Sequence, residues 1–286
     1  MTVTVISAGL LTTVQDLGRP GHAHLGVPRS GALDQPAHRL ANRLVGNPAT
    51  AATLETTVLG CTLRADRAVT VAVAGAPCAV RVDGRPAAWG APVRLPAGAV
   101  LEVGPATRGV RSYLAFAGGV AADPVLGSRS TDLLSGLGPA PLAPGDALPL
   151  GEPVGPAAGV DVLPVPAPPE PLLLPVLFGP RDDWFTARSP AVLTGSDYRV
   201  SPTSNRIGLR LEGPPLERAR EGELPSEGMV LGAIQVPPDG RPVVFLADHP
   251  TTGGYPVIGV VPAAALSAAA QAVPGTPVRF TPAGRR

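Results

Sequence analysis

The sequence predicts a mostly β protein with a few short helices. Glycine and proline account for 35 and 37 of the 286 residues, and they separate short runs of Val, Leu and Ala along the whole chain. Because 44% of the residues are hydrophobic, this pattern indicates many short strands joined by tight turns and not a disordered polypeptide. The length allows one large domain or two ordinary ones.

A proline-rich stretch divides the chain. Residues 151–171, GEPVGPAAGVDVLPVPAPPEP, contain seven prolines in 21 positions, which favours an extended connector with one short strand at 160–163. We therefore predict a first half at 1–150 and a second half at 172–286, both built from short strands. An Asp-Gly pair at 83–84 predicts a hairpin turn in the first half.

Two helices are predicted. The segment LDQPAHRLANRLVGNP begins with Asp34 as N-cap and Pro36 in the first turn. Its apolar face is predicted to contain Leu33, Ala37, Leu40, Ala41 and Leu44, and its polar face His38, Arg39, Asn42 and Arg43. The second helix is Ala-rich and is expected near 262–272.

The composition excludes several chemistries. All 23 basic residues are arginine, so this chain cannot form a lysine Schiff base, use a P-loop lysine or carry biotin on a lysine. Anions must be bound by guanidinium groups or backbone N–H groups. The net charge of +1 gives no basic field that would attract nucleic acid or an acidic membrane.

The sequence favours a cytoplasmic location. The first basic residue is Arg19, which does not fit the charged start of a signal peptide. The apolar stretch near 257–273 is interrupted by Pro262 and Ser267, so no membrane span is expected. Cys61 and Cys78 lie in apolar, strand-like surroundings and are expected to be reduced core residues.

The segment QDLGRPGHAHLGVPRSGALD, residues 15–34, is the first candidate site. A loop carrying Asp16 and Arg19 precedes a helix N-terminus at which Ser30, Gly31 and Asp34 would favour an anion. The alternative is that Asp34 only caps the helix and that Asp16 and Arg19 form an ion pair within a turn. His22 and His24 are interpreted as exposed loop residues, and no metal site is predicted.

Two further segments combine arginine with hydroxyl groups. In GSRSTD, Arg129 and Asp132 flank Ser130 and Thr131, a set suited to a carboxylate or phosphate or simply to a structured surface loop. In SNRIGLRLEG, Arg206 precedes a strand whose Arg210 and Glu212 point away from the apolar face. A cross-strand ladder of salt bridges is the alternative for Arg206.

The segment LPSEGMVLGAIQVPPDGRPVVFLADHPTTGGYP, residues 224–256, is the fourth candidate. Gln235 stands alone in an apolar strand and needs hydrogen-bond partners. Asp248 ends the next strand and precedes a loop longer than a simple hairpin requires, which favours a site over a bare turn. The glycine pair of that loop is predicted to adopt positive φ and to form a nest of N–H groups. The candidate residues of this region are Ser226, Glu227, Gln235, Asp239, Asp248, Thr251, Thr252, Gly253, Gly254 and Tyr255.

These segments, together with RSYLAFAGGV and VLGSRSTD, resemble the KipA-like family. This family is also called allophanate hydrolase subunit two or the biotin-dependent carboxyltransferase domain family, and one of its branches supplies a subunit of 5-oxoprolinase. The resemblance extends over nearly the whole chain, apart from 151–171. It implies a fold of two cyclophilin-like β-barrel halves. It also implies a KipI-like partner subunit and, for an oxoprolinase, a LamB/YcsF-like subunit.

The resemblance implies ATP-dependent opening of the lactam 5-oxoproline to glutamate, with ATP and Mg bound in the complex and little activity of the chain alone. Under this hypothesis Arg19, Arg129 and Arg206 bind phosphate or carboxylate, and Gln235, Asp239 and Asp248 read the amide, with Tyr255 beside them. One alternative is half of a carboxyltransferase for urea or an amide, with biotin supplied on another protein. A second alternative is a regulatory protein that binds a kinase inhibitor.

Overall fold

A computed structural model describes residues 1–159, 169–179, 181–222 and 224–283. The strand predicted at 160–163 lies outside these residues. The described residues form two compact units: the first lies within Met1–Arg19, Ser30–Asp132 and Gly136–Pro166, and the second within Pro20–Arg29, Leu133–Ser135 and Ala167–Arg286. The connector boundaries at 151–171 stay a prediction.

The first unit contains two antiparallel sheets and one α-helix, α1 (Gln35–Leu44). The strands are β1 (Thr2–Ser7), β2 (Leu11–Gln15), β3 (Thr53–Thr57), β4 (Cys61–Ala65), β5 (Val69–Gly75), β6 (Cys78–Val82), β7 (Arg85–Ala87), β8 (Val93–Leu95), β9 (Val100–Ala106), β10 (Arg111–Phe116) and β11 (Ala147–Pro149). One sheet has the order β11-β1-β4-β9-β6-β7 and the other β2-β3-β10-β5-β8.

Alternating apolar residues from both sheets form the main core of the first unit. Val3 and Val5 of β1, Val71 and Val73 of β5 and Phe116 of β10 are among its buried members. The predicted hairpin is confirmed: β6 and β7 pair across a two-residue turn in which residues 83 and 84 have φ values of 50° and 75°. Such φ values define the turn type that suits the twist of a hairpin.

Helix α1 packs on the outer face of the five-stranded sheet and corrects one prediction. Its cap and apolar face are as expected, and Arg39 and Arg43 are exposed. His38 and Asn42, predicted to be on a polar face, are instead fully buried. They are satisfied by hydrogen bonds: His38 contacts the Thr53 hydroxyl at 2.9 Å, and Asn42 donates to the Ala51 carbonyl at 2.8 Å.

Burial makes His38 a source of pH dependence. Its Nε2 lies 3.0 Å from the Ala49 carbonyl oxygen, which can only accept, so the neutral ring is protonated on Nε2 and Nδ1 accepts from Thr53. Desolvation lowers the pKa of His38 below its ordinary value of 6.5. The unfolded chain therefore takes up this proton first as the pH falls, and stability that is present above pH 6.5 is lost below it.

We expect the free energy of unfolding to fall as the pH drops below 6.5, with a slope of up to about 1.4 kcal/mol per pH unit from this residue. The His38→Gln variant, whose amide can still donate to the Ala49 carbonyl, should lose that part of the slope. Urea unfolding at a series of pH values measures it. The exposed His24→Gln variant is the control, and equal slopes for wild type and His38→Gln would refute the prediction.

The second unit is centred on a closed seven-stranded barrel. Its barrel strands are β12 (Leu172–Phe178), β13 (Tyr198–Val200), β14 (Gly208–Glu212), β16 (Ala233–Gln235), β17 (Val243–Phe245), β19 (Val257–Val260) and β20 (Pro277–Pro282). They follow one another in the order β12-β19-β16-β17-β14-β13-β20. A separate two-stranded sheet pairs β15 (Glu227–Gly228) with β18 (Thr252–Gly253).

Helices are few in the described residues, as predicted for a mostly β fold. The second unit contributes α2 (Ser189–Gly195) and α3 (Ala263–Ala270), the latter close to the Ala-rich helix expected at 262–272. In the part of the chain that the structure describes, none of the helices has the length and apolar character needed to span a bilayer. Both cysteines are buried thiols, and burial raises the pKa of Cys61 to about 12, which makes it unreactive.

Candidate functional site

The carboxylate of Asp16 connects the end of β2 to the 128–130 loop within the first unit. The hydroxyls of Ser128 and Ser130 each donate to it at 2.6 Å, as does the backbone N–H of Arg129. The Gly18 N–H adds a fourth bond at 2.8 Å. Asp16 is only 6% exposed, so these donors replace the water that an exposed carboxylate would have. We call this set of residues the Asp16 clamp.

Two arginines hold the backbone of the same loop. Arg19 is buried and donates through Nε to the Val125 carbonyl at 3.3 Å and through Nη2 to the Ser130 carbonyl. Arg129 is half-buried and donates through Nε to the Ala122 carbonyl at 2.7 Å. The structure thus brings together Asp16, Arg19 and Arg129, which the sequence analysis had assigned to two separate candidate segments. The contacts described here organise a loop, and binding of phosphate by these arginines stays a hypothesis.

The N-terminus of α1 is held by protein groups. Asp34 accepts from the Ala37 N–H at 3.1 Å, so its predicted role as the N-cap is confirmed. The Asp34 N–H donates to the Tyr113 hydroxyl at 2.8 Å, and that hydroxyl donates to Glu55 at 2.7 Å. Burial, followed by the charge of Glu55, raises the pKa of Tyr113 well above its ordinary value. Tyr113 therefore stays protonated and donates permanently.

Ser30, Gly31 and Asp132 lie in the same unit. Gly31 has a φ of 96°, and a Cβ there would lie 2.8 Å from the Gly18 nitrogen, so the close approach of the two backbones requires glycine. Ser30 donates to the Thr131 carbonyl at 2.9 Å. Asp132 is buried, and its backbone N–H donates to the Leu137 carbonyl at 2.9 Å.

A buried ion pair is the main polar feature of the second unit. Arg206 binds Asp248 through two parallel bonds, Nε to Oδ2 at 2.8 Å and Nη2 to Oδ1 at 2.9 Å. The two side chains are 1% and 0% exposed. The Leu133 N–H also donates to Asp248 at 3.2 Å, and the Asp248 N–H donates to the Arg206 carbonyl at 3.1 Å. We call Arg206 and Asp248 the Asp248 pair.

The Asp248 pair corrects the salt-ladder alternative for Arg206. Arg206 is buried before β14, whereas Arg210 and Glu212 are exposed on that strand. Glu212 lies opposite Arg199 of β13 and accepts from the Ser201 hydroxyl at 2.8 Å. The partner of Arg206 is an aspartate 42 residues further along the chain, and the assignment of Arg206 to a binding site stays a prediction.

A second cluster of the second unit surrounds Gln235. Its Nε2 donates to the Tyr255 carbonyl at 3.4 Å and lies 4.0 Å from the Met229 sulfur. Both distances are at the weak end of hydrogen bonding, so the amide can re-form its contacts at little cost. The paired strands β15 and β18 place Glu227 opposite Gly253. We call Gln235, Met229, Gly253 and Tyr255 the Gln235 corner.

The nest predicted for the glycine pair is not formed. Gly253 lies in β18, and neither it nor Gly254 is among the described glycines with positive φ, which include Gly232 and Gly240. These two positions are suited to glycine because neighbouring atoms lie too close to the backbone to leave room for a Cβ atom. A Cβ on Gly253 would lie 2.7 Å from Gln235 Nε2, and one on Gly254 would lie 3.1 Å from the Leu224 carbonyl oxygen. The loop therefore contributes space for the Gln235 amide and not a cradle of N–H groups.

The Gly253→Ala substitution should displace the Gln235 amide. The new methyl group overlaps with Nε2 and also contacts Met229. Because Nε2 is the end of a flexible side chain with weak contacts, we expect the free energy of unfolding to fall by about 1 kcal/mol, the lower end of the usual cost of overpacking. Chemical unfolding of the isolated chain measures this. Gly228→Ala is the matched control, because its Cβ would meet nothing within 4 Å. A Gly253→Ala variant as stable as Gly228→Ala would contradict the packing described here.

The remaining candidates of the second unit lie around these clusters. Glu227 is bound by both Nε, at 3.0 Å, and Nη2 of Arg181. This ion pair lowers the pKa of Glu227. Asp239 is exposed in the turn between β16 and β17, where it accepts from the Arg241 N–H at 3.1 Å. Ser226 is exposed, and Thr252 of β18 lies opposite residue 228 of β15 in the two-stranded sheet. The Thr251 carbonyl accepts a hydrogen bond from the backbone N–H of residue 229. The centre of the Tyr255 ring lies 5.7 Å from the guanidinium carbon of Arg218.

Sequence reasoning missed several buried polar residues. Glu55 sits in the strand TLETT, where a lone acid in a buried strand was a usable signal. His249 follows Asp248 directly; it is buried, and its ring stacks on Phe245 with an interplanar angle of 9°. Ser128 lies inside the motif GSRSTD, but its bond to Asp16 spans 112 residues and no local pattern predicts it. Among the described residues, no three metal-ligating side chains are grouped.

The described residues define a β protein with a closed barrel, a two-sheet unit and polar loops that are held by the buried carboxylates of Asp16 and Asp248. Residues 25–282 match the family described as carboxyltransferase domain, subdomain A and B. A 5-oxoprolinase subunit of Escherichia coli (strain K12) is 39% identical over 283 residues, which cover 96% of this chain and 89% of that protein. The chain belongs to this carboxyltransferase domain family, so the resemblance seen in the sequence is confirmed.

Two solved structures agree with this assignment. The crystal structure of TTHA0988 superposes with a TM-score of 0.87 at 40% identity, covering 98% of this chain and 56% of that one. The Kluyveromyces lactis urea carboxylase gives a TM-score of 0.89 at 31% identity, covering 99% of this chain and 27% of that one. The present chain thus spans about half of the first protein and about a quarter of the second. The predicted fold class, mostly β with a few short helices, is confirmed, and the second unit contains a closed seven-stranded barrel.

Proposed function

We propose that this chain is one subunit of an enzyme that opens 5-oxoproline to glutamate. The observation that carries the proposal is the similarity to the E. coli 5-oxoprolinase subunit, which at 39% identity covers nearly the full length of both chains. A relative that is itself called a subunit indicates that partner chains complete the enzyme. We infer that these are a KipI-like subunit and a LamB/YcsF-like subunit, and that this chain is inactive alone.

ATP, with Mg, is the proposed co-substrate. A lactam carbonyl is a poor electrophile, and phosphorylation of its oxygen makes the carbon susceptible to attack by water. The site must therefore present donors to phosphate and acceptors to the amide N–H. The arginines of this chain are suited to the first task and its buried amide and carboxylate groups to the second.

Within the second unit, the Gln235 corner is suited to contacting an amide. Gln235 offers both a donor and an acceptor, and its present contacts are long. We assign Asp248 a positioning role: its two bonds to Arg206 fix the guanidinium, and its bond to the Leu133 N–H fixes the 133–135 segment. Tyr255 contributes its backbone carbonyl to the orientation of Gln235. Asp239 is exposed in a turn and is the weakest of the proposed amide readers.

Reconstitution with the products of neighbouring reading frames tests the proposal. The mixture should consume 5-oxoproline and release glutamate and ADP in the presence of Mg. The same mixture should show no carboxylation of urea when bicarbonate and a biotinylated carrier protein are supplied. Release of glutamate that does not require ATP, or no 5-oxoproline consumption by a mixture whose subunits co-purify, would count against it.

A second candidate function is carboxyl transfer. The fit to urea carboxylase, with a TM-score of 0.89, favours it. Since all 23 basic residues are arginine, any biotin must arrive on another protein. Product formation that depends on both bicarbonate and that biotinylated protein would assign the chain to this function.

A further inference from the structure

The outer face of β2, β3 and β10 is unusually polar for a buried surface. The strand register places Gln15 opposite Thr53, and Thr13 opposite Glu55, which in turn lies opposite Tyr113. Residues directly opposite each other in an antiparallel pair point to the same face. All five side chains are buried. This face of the first unit therefore holds hydrogen-bonding amide, carboxylate and hydroxyl groups that do not contact solvent.

The orientation of the Gln15 amide on this face is fixed. Its Nε2 donates to the Thr13 hydroxyl and to the Thr131 carbonyl, both at 3.0 Å. A carbonyl can only accept, so the nitrogen must face Thr131 and the amide cannot be flipped. Gln15 Oε1 therefore points elsewhere, and it has no hydrogen-bond partner among the described residues although Gln15 is 0% exposed.

Thr131 carries a second buried group of this kind. It is 2% exposed, and its Oγ1 has no hydrogen-bond partner in the described part of the chain. Its backbone carbonyl is held by both Gln15 and Ser30, so the backbone of Thr131 lies against the Gln15 side chain. Ser30 adopts a φ of 52°, a conformation that costs energy for a residue other than glycine and is concentrated at functional sites.

We propose that Gln15 and Thr131 recognise the amide edge of a small ligand. Gln15 Oε1 accepts from an N–H group, and the Thr131 hydroxyl donates to the adjacent carbonyl oxygen. Buried polar groups without partners are rare because they cost free energy, and a ligand with neighbouring N–H and C=O groups satisfies both at once. This inference rests on the proposed function, since it names the chemical group of the substrate that the first unit reads.

Lactam and lactone probes test the recognition directly. The probes are 5-oxoproline and the lactone in which its N–H is replaced by oxygen, and calorimetry measures their binding to the full chain in the assembled complex. Wild type should prefer the lactam by at least about tenfold, which corresponds to about 1.4 kcal/mol. In Gln15→Met the preference should fall to near unity, because only the lactam offers an N–H to Gln15. Thr131→Val removes the donor to the carbonyl that both probes carry, so it should weaken the binding of both probes and leave their ratio near that of wild type.

Thr56→Val is the matched control, because Thr56 is a buried threonine of the same sheet whose hydroxyl contacts the Ser112 carbonyl. It should keep both the wild-type affinity and the wild-type preference. A lactam preference that survives Gln15→Met, an affinity for both probes that survives Thr131→Val, or a wild type that binds lactam and lactone equally overturns the proposal. If the variants fail to fold, a crystal of wild type soaked with 5-oxoproline decides: an amide nitrogen within hydrogen-bond distance of Gln15 Oε1 supports the proposal, and only a water molecule there overturns it.

Ethylene urea, a cyclic amide without a carboxylate, separates this inference from the proposed function. If it binds in a manner that depends on Gln15 while 5-oxoproline does not bind, the recognition pair stands and the oxoprolinase role fails. If the complex converts 5-oxoproline to glutamate while Gln15→Met keeps the lactam preference and Thr131→Val keeps the affinity, the role stands and the recognition pair fails.

Discussion

Replacing Asp248 by alanine is expected to lower the free energy of unfolding by about 3–5 kcal/mol, because it leaves the buried Arg206 guanidinium without its carboxylate. Both side chains are almost completely inaccessible, so water cannot take the place of the lost partner. The Leu133 N–H loses an acceptor at the same time. Urea unfolding of the isolated chain measures the change.

A double substitution distinguishes a buried unpaired charge from a general packing defect. Replacing both members of the Asp248 pair, as Arg206→Met with Asp248→Leu, removes the charge together with its partner and should recover much of the lost stability. The control is Asp197→Ala, which breaks an exposed pair with Arg279 and should leave the unfolding midpoint unchanged. Equal loss in the Asp248→Ala single variant and the double variant would show that charge pairing is not the dominant effect.

Replacing Asp16 by alanine is the second large effect that we expect. The substitution removes the acceptor of two hydroxyls and two backbone N–H groups, and the cost should reach about 3–5 kcal/mol, at the upper end for single substitutions. Asp16→Asn retains one acceptor oxygen and should cost about half as much.

Hydrogen exchange localises the effect of the Asp16 substitutions. The amides of Gly18 and Arg129, which donate to the carboxylate, should lose protection in Asp16→Ala more than amides elsewhere in the first unit. Asp123→Ala, an exposed acid of the preceding loop, is the control and should leave both amides protected. Unchanged protection of these two amides in Asp16→Ala would mean that the carboxylate does not hold the loop.

Much of the fold was predictable because its signals are local. Alternating Val and Leu residues predicted strands, the Asp-Gly pair at 83–84 predicted a two-residue turn, and Asp34 with Pro36 predicted the start of α1. The burial of His38 was not predictable, because it depends on Ala49 and Thr53 approaching the helix from another part of the chain. Helical periodicity alone assigns a histidine to the polar face.

The sequence identified many of the candidate residues but did not show which of them bind each other. Arg206 and Asp248 were both singled out, yet nothing in their local sequence shows that they bind each other across 42 residues. Asp16 and Ser130 are likewise separated by 114 residues. The glycine pair at 253–254 was recognised for a wrong reason: positive φ was expected, whereas the structure requires glycine because the Gln235 amide lies against residue 253.

The rate of glutamate formation from 5-oxoproline by the assembled subunits tests the central claim most directly. With partner subunits and ATP held constant, the rate should rise in proportion to the added chain and then saturate at a fixed stoichiometry. Asp197→Asn should behave as wild type, and a folded Asp248→Asn variant should reach a plateau at least tenfold lower. An equal rate of ATP-dependent glutamate formation in the absence of this chain would contradict the assignment.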